Sequence, residues 1–255
     1  MIFISFVISY VYLNILLSPL KKRKMSGANI IVSCENCEQK WKNFAHLSKS
    51  EMDMVNENRY EATFKPGEII IKQDSPTSNA LFLASGMAKT YIEGFNGKNL
   101  ILSIAQPGKL LIGPGAYVNS RHTYTVAAIT QVHACFISFD VFKHLVKVNG
   151  AFAEGLLEDI SAKALRTHIK IVNLTQKKMP GRLAEALIYL SDEVFKSDEY
   201  EMILSRQELG DMTNMAKECV VRILKELEDS GVIISDSSEI KIIDKEKLRM
   251  ISEKS

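Results

Sequence analysis

The spacing of hydrophobic and polar positions changes character several times along the chain. Apolar residues run almost unbroken from Met1 to Leu20 and stop at Lys21-Lys22-Arg23-Lys24. From Tyr60 to Phe139, short apolar stretches are broken by turn signals at Lys65-Pro66-Gly67, Asp74-Ser75-Pro76, Ser85-Gly86, Asn96-Gly97, Gln106-Pro107-Gly108 and Gly113-Pro114-Gly115. Breaks this frequent predict an all-β sandwich or barrel. Its strands are expected over Glu68–Ile71, Ala80–Leu83, Lys89–Ile92 and Leu100–Ile104, each rich in β-branched or aromatic residues.

After Ser138 the period lengthens. Asp140 to Val148 predicts a short helix and Ala151 to Gln176 a long one, on which Ala153, Leu157, Ile160, Ala164, Ile171 and Leu174 form one stripe. The stripe needs a partner: either the β-domain of the same chain or the same helix of a second chain. A single helix joining two domains, with so long a stripe, favours the homodimer. Met179-Pro180-Gly181 then interrupts the helix, and Pro180 suits the first turn of the next, whose apolar face carries Leu183, Ala184, Leu187, Ile188 and Leu190. From Glu201 onward the pattern predicts a brief strand, two helices, a hairpin through Val232–Ile234 and Ile240–Ile243, and a last helix from Lys245. That is the order of a winged helix.

Length and composition narrow the choice. The 255 residues can bury two modest cores, and 46% hydrophobic with 24% charged residues excludes a disordered or fibrous chain. The formal net charge is only +2, so any surface for nucleic acid must be local. Four cysteines do not make a secreted disulfide framework at this length. A β-barrel enzyme of the cupin type would need clustered His and carboxylate ligands, but the five histidines are scattered, so the chain is not expected to be an enzyme. For the apolar start two readings remain. It is a transmembrane anchor, or it is translated upstream sequence before a natural start at Met25; the second is preferred, which makes the protein cytoplasmic without membrane contact. A secretory signal fits worst, since the basic residues follow the apolar run and no Ala-x-Ala site ends it.

The segment beginning at Leu204 carries the chemistry. Ser205 can cap a helix holding Gln207, Glu208, Leu209 and Met212; Gly210 leaves room for a second helix to cross closely, and Asn214 suits a left-handed turn. The next helix buries Val220, Ile223, Leu224 and Leu227 and offers Lys217, Glu218, Val221 and Arg222 on its other face. In a major groove, Arg and Lys pair with guanine, Glu accepts from cytosine, and Val221 can touch a thymine methyl. The bland account is that Glu218 complements the helix start and pairs with Arg222 on a solvated face.

Ser205-Arg206-Gln207-Glu208-Leu209-Gly210, Lys217-Glu218 and Val220 through Glu228 resemble the helix-turn-helix of the Crp/Fnr family of bacterial regulators, and the resemblance runs from Cys34 to Ile251. It implies an α+β fold: an amino-terminal β-roll of the double-stranded β-helix or jelly-roll type, a long dimerisation helix and a carboxy-terminal winged helix-turn-helix. The expected division is a leader over 1–25, a sensor over 26–139, the dimerisation helix over 140–178 and the DNA-binding domain over 179–255. The resemblance further implies that Glu218 and Arg222 read bases in each half of a palindromic DNA site with help from Lys217, that Ser205, Arg206 and Gln207 bind phosphates, and that RNA polymerase is a partner. Two departures are Ala216, where the family often has a Ser or Thr cap, and Val221.

The sensor departs further. Where cyclic-nucleotide-binding members carry Gly-Glu, this chain has Gly113-Pro114-Gly115, and before Thr125-Val126 it reads Arg121-His122-Thr123-Tyr124, with Arg121 one position out of register. Gly113, Arg121, His122 and Thr123 remain the candidate pocket for an unidentified small-molecule effector, although Tyr124 would crowd it and argues against cyclic AMP. In the oxygen-sensing branch an iron-sulfur cluster takes four cysteines; Cys34, Cys37 and Cys135 match three, while Asn43 stands at the fourth position and His46 is the nearest substitute ligand. Otherwise Cys135 is a core thiol, Cys34 and Cys37 are a redox-labile pair, and Cys219 is packing.

Overall fold

A computed structural model of the chain describes residues 33–236 and 238–254. The apolar and basic leader over 1–25 lies outside the described residues. Among the described residues no helix is long and apolar enough to cross a membrane.

Strands β1 (Arg59–Phe64), β2 (Ile69–Ile71), β3 (Asn79–Ser85), β4 (Ala88–Glu93), β5 (Asn99–Ala105), β6 (Leu110–Leu111), β7 (Thr125–Ala128) and β8 (Val132–Ser138) form two four-stranded sheets, in the orders β1-β8-β3-β6 and β2-β7-β4-β5. Their pairings are antiparallel. Alternation decides what each face meets. On β8, Val132, Ala134 and Phe136 point between the sheets with Leu81, Leu83 and Val126, while Cys135 and Ile137 point to the outside of the first sheet. That outer face is also covered. Trp41, Phe44, Phe82, Phe142 and Phe152 pack there, the Trp41 ring lying 5.9 Å from Phe142 and 5.4 Å from Phe152.

The covering elements are a 3-10 turn over Lys42–His46, helix α1 (Lys49–Glu57), helix α3 (Phe139–Val148) and the start of helix α4 (Gly150–Gln176); a single-turn helix α2 (Gly115–Val118) fills the loop before β7. The sequence pattern had not singled out α1, α2, β1, β6, β7 or β8. Helix α1 is marked by a capping box, in which the Ser48 side chain accepts from Glu51 N and the Glu51 carboxylate accepts from Ser48 N. Helix α2 stands where Gly113-Pro114-Gly115 reads as a plain turn.

Helix α4 is capped by the Asn149 side chain and anchored by the Trp41 indole, which donates to Asp159 Oδ2 at 2.6 Å. Only Phe152, Gly155 and Leu156 are buried along its length. Of the predicted stripe, Leu157, Ile160, Ala164 and Ile171 are exposed and Ala153 and Leu174 half-buried. Leu165, Ile169 and Val172, which the stripe had left out, are exposed beside them.

Helix α5 (Met179–Tyr189) carries Pro180 in its first turn and passes into a π-helical turn over Leu190–Phe195, which ends at left-handed Lys196. Strand β9 (Glu199–Glu201) then begins before the expected Glu201, because Tyr200 is buried there and stacks on Phe195 at 4.7 Å while the strand pairs with residues 239–241. Helices α6 (Arg206–Thr213) and α7 (Lys217–Asp229), strands β10 (Ile233–Ser235) and β11 (Glu239–Ile242), and helix α8 (Lys245–Lys254) complete the chain.

The β3–β4 turn depends on Gly86, whose φ is 80° and whose missing Cβ would stand 2.1 Å from the Gln131 carbonyl oxygen. Gly86→Ala is expected to lower stability by roughly 2–4 kcal/mol through backbone strain and collision, read as a drop in the urea midpoint.

Candidate nucleic-acid interface

Helix α6 starts on a second capping box: Ser205 Oγ accepts from Glu208 N at 3.2 Å, and the Glu208 carboxylate accepts from Ser205 N at 2.7 Å. It ends at Asn214, in the left-handed region with φ 52° and ψ 53°. The chain then doubles back so tightly that a Cβ on Gly210 would lie 2.6 Å from the Met215 carbonyl oxygen. Gly210 is therefore the residue that lets the two helices cross.

Helix α7 buries Val220, Ile223, Leu224 and Leu227 in the core of this part of the chain and turns Lys217, Glu218, Val221 and Arg222 outward. No side chain caps it, since Ala216 occupies the cap position; Glu218 in its first turn places negative charge at the positive end of the helix. Arg222 does not pair with Glu218. Its ion pair is with Glu226, one turn further on, at 2.5 Å. Of the three residues expected at phosphates, Ser205 and Gln207 are exposed and Arg206 is half-buried. Arg206 donates to Ser235 Oγ at 3.3 Å and to the Asp236 carbonyl at 3.1 Å, which ties the start of α6 to the β10–β11 hairpin. Gln207 donates to Asp211 Oδ1 at 2.9 Å.

The side of the helix-turn-helix away from those groups rests on the β-roll. Ile101 and Ile104 of β5 join one buried cluster with Leu183, Leu187, Leu209 and Ile223. Around them Ile104 N donates to Tyr189 Oη at 3.0 Å, Gln106 donates to the Val194 carbonyl, and Lys89 forms an ion pair with Glu208. Neither Lys89 nor Glu208 carries any sequence signal for this contact, because they are 119 positions apart and on elements of different type.

The candidate effector residues are brought together, His122 buried, Thr123 half-buried and Arg121 exposed. Arg121 donates to the Asp74 carbonyl, and buried His122 exchanges backbone hydrogen bonds with Ser75 and Asp74. Burial lowers the His122 imidazole pKa. A Cβ on Gly113 would meet Thr123 Oγ1 at 3.2 Å and a Tyr124 ring carbon at 3.3 Å, and Tyr124 packs against the core between the sheets. The aromatic ring stands where space for a ligand was sought.

Among the cysteines, Cys34, Cys37 and Cys135 line one small cavity, and Arg59 Nη1 donates to Cys135 Sγ at 3.6 Å. Asn43 is buried with its amide against Gly155, and His46 is exposed. Among the described residues no three His, Cys, Asp or Glu side chains are grouped to hold a metal ion. Three cysteines line one cavity and the position sought for a fourth carries the buried Asn43 amide, so these residues supply three of the four thiolates that such a cluster takes.

Comparison with known proteins agrees with both halves of the fold. The family described as "Cyclic nucleotide-binding domain" matches residues 61–149, and "Crp-like helix-turn-helix domain" matches residues 181–251. The chain is similar to the cAMP-activated global transcriptional regulator CRP of Salmonella typhimurium, with 27% identity over 67% of this chain and 83% of that protein. It is also similar to the Anaerobic regulatory protein of Pasteurella multocida, with 23% identity over 94% of this chain and 90% of that protein. The solved structure of FixK2 from Bradyrhizobium japonicum superposes with a TM-score of 0.69 at 18% identity, covering 76% of this chain and 96% of that one.

A β-roll of cyclic-nucleotide-binding type followed by a long helix and a Crp-like helix-turn-helix defines a DNA-binding transcription regulator, not an enzyme. The chain belongs to the Crp/Fnr family.

The tie between the two parts is sensitive to acid. Burial pushes the Glu208 pKa up, but the Lys89 ammonium and the Ser205 hydrogen bonds outweigh it and hold the carboxyl below its ordinary 4.5. A depressed carboxylate contributes stability that is present above its unfolded value and is lost as pH falls through the folded one. Lys89→Met is thus expected to lower the urea midpoint by the equivalent of about 1 kcal/mol near about pH 6 and to have no measurable effect at about pH 2.5.

Proposed function

We propose that this chain is a cytoplasmic, homodimeric regulator that binds palindromic promoter sites and works with RNA polymerase. The observation that carries the reading is the two-sided character of α7: one face is fully committed to the core, and Lys217, Glu218, Val221 and Arg222 stand on the other, in its first two turns. Glu218 and Arg222 read base edges, Lys217 assists, and Val221 sets a preference for an apolar edge such as the thymine methyl. Ser205, Arg206 and Gln207 approach the backbone phosphates, Arg206 with the guanidinium donors that the wing leaves over.

Residues 140–178 supply the dimer contact, with Ala153, Leu157, Ile160, Ala164, Ile171 and Leu174 on the seam. A largely exposed apolar stripe on a 27-residue helix supports this. Two copies related by a twofold axis set their α7 helices about one DNA turn apart, ~34 Å. Residues 26–139 act as the sensor, and 179–255 bind DNA. The packing of Tyr124 against Gly113, with Arg121 engaged by Asp74, supports an effector other than a cyclic nucleotide.

Selection from a random DNA pool tests the reading. The wild type is expected to enrich a palindrome, and Glu218→Ala and Arg222→Ala to lose preference at one position of each half-site by ~1–3 kcal/mol. Sequence-blind, salt-sensitive binding unchanged by both substitutions would overturn it. For the dimer, Leu157→Glu with Ile171→Glu is expected to give a monomer in sedimentation velocity with an unchanged circular dichroism spectrum. A double variant that sediments as the wild type removes the α4 seam.

A further inference from the structure

Helix α7 carries Lys217, Arg222 and Lys225 against Glu218, Glu226, Glu228 and Asp229, so the helix offered to DNA has more negative charge than positive. Pairing decides which of these groups stay available. Lys225 Nζ takes Glu228 Oε2 at 3.2 Å and Asp229 Oδ1 at 2.9 Å, and Arg222 Nη1 donates to Glu226 Oε1 at 2.5 Å. The acid left over is Glu218. Among the described residues no hydrogen bond or ion pair engages its exposed side chain, one turn before Arg222.

The choice of Glu226 by Arg222 runs against the intrinsic preference of a helix. Side chains lean toward the amino-terminal end, and a carboxylate four residues before a cation pairs better than one four residues after it. Glu218 holds the first place and Glu226 the second. Had Arg222 taken Glu218, the two groups would satisfy each other on the helix surface, and both would have to be released before either met a base.

We propose that Glu226 is a positioning residue for sequence recognition: it draws Arg222 away from Glu218 and holds the guanidinium by one nitrogen. The Glu218 carboxylate is then free to accept from a base, and the Nη2 and Nε donors of Arg222 are left for a guanine edge. A long side chain already held in place loses less freedom when it binds. The ion pair itself is exposed and adds little to stability; its effect is on where Arg222 points. The Glu226 charge also repels phosphates, so the same residue lowers affinity for any DNA while it raises discrimination. That opposition of sign separates positioning from a merely structural role.

The inference rests on the reading of Glu218 and Arg222 as base readers. Its test uses the full chain and the site enriched from the random pool, titrated against duplexes that carry every other base pair at each half-site position. Glu226→Met keeps the stem and the helix preference and removes the acceptor. It is expected to cut the preference at the Arg222 position, the one that Arg222→Ala erases, about threefold to tenfold, and to lower the preference at the Glu218 position as well. Affinity for a duplex of unrelated sequence should rise about twofold with no change in the urea midpoint. Glu226→Asp keeps a carboxylate within reach and is expected to restore most of the discrimination. In an Arg222→Ala background, Glu226→Met should leave the remaining preference at the Glu218 position unchanged, because Glu226 acts through the arginine.

Full discrimination in Glu226→Met, a loss that persists without Arg222, or a loss that Glu226→Asp does not restore would overturn the inference and leave the base readers standing. If Arg222→Ala itself changes no preference, the assignment of the readers falls, and this inference with it.

Discussion

A helix-turn-helix can offer one side to a partner only if its other side is held, and here the holding surface is shared between two parts of the chain. Ile101 and Ile104 leave the β-roll to complete the cluster built on Leu183, Leu187, Leu209 and Ile223. Each buried isoleucine contributes ~1.5–3 kcal/mol relative to exposure, more than any single polar contact around it. The polar contacts orient what the apolar ones hold. The Glu208 carboxylate closes the first turn of α6 and also receives Lys89, so the helix that positions α7 is tied at its first turn to strand β4. Strands β4 and β5 thus meet the helix-turn-helix directly, through one ion pair and one shared apolar cluster.

The first sheet has a similar economy. It is covered on both faces, by the second sheet on one and by the Trp41 aromatic group on the other, so alternate residues of β8 meet different surroundings. Ala134 and Phe136 serve the sandwich; Cys135 faces the aromatic side, where Arg59 donates to its sulfur. A one-residue slip of β8 would exchange these roles, and the pairings of β8 with β1 and β3 prevent it. The placement of Cys135 beside Arg59 is thus a by-product of strand register.

What the amino-acid pattern determined by itself was local in origin. Turn chemistry and β-branched stretches marked four strands of the β-roll and the β10–β11 hairpin, the spacing of apolar residues marked α3 to α7, and Ser205, Gly210 and Asn214 marked the cap, crossing and turn of the helix-turn-helix, because each of those features is set by neighbours within a few residues. Helix α1 and strands β7 and β8 were less legible, since Thr125–Ala128 and Val132–Ser138 become strands through their partners and not through any strong local preference.

Only the tertiary structure decided which distant groups meet. The tie of Lys89 to Glu208, the turn of Arg206 toward the wing, the choice of Glu226 over Glu218 by Arg222, the filling of the Gly113 region by Tyr124, and the gathering of Cys34, Cys37 and Cys135 at one cavity all depend on side-chain directions at contacts whose partners are close in space. A sequence records which residues are available for such contacts. Their pairing is settled by burial and packing, which act on the folded chain as a whole and leave no periodic trace along it.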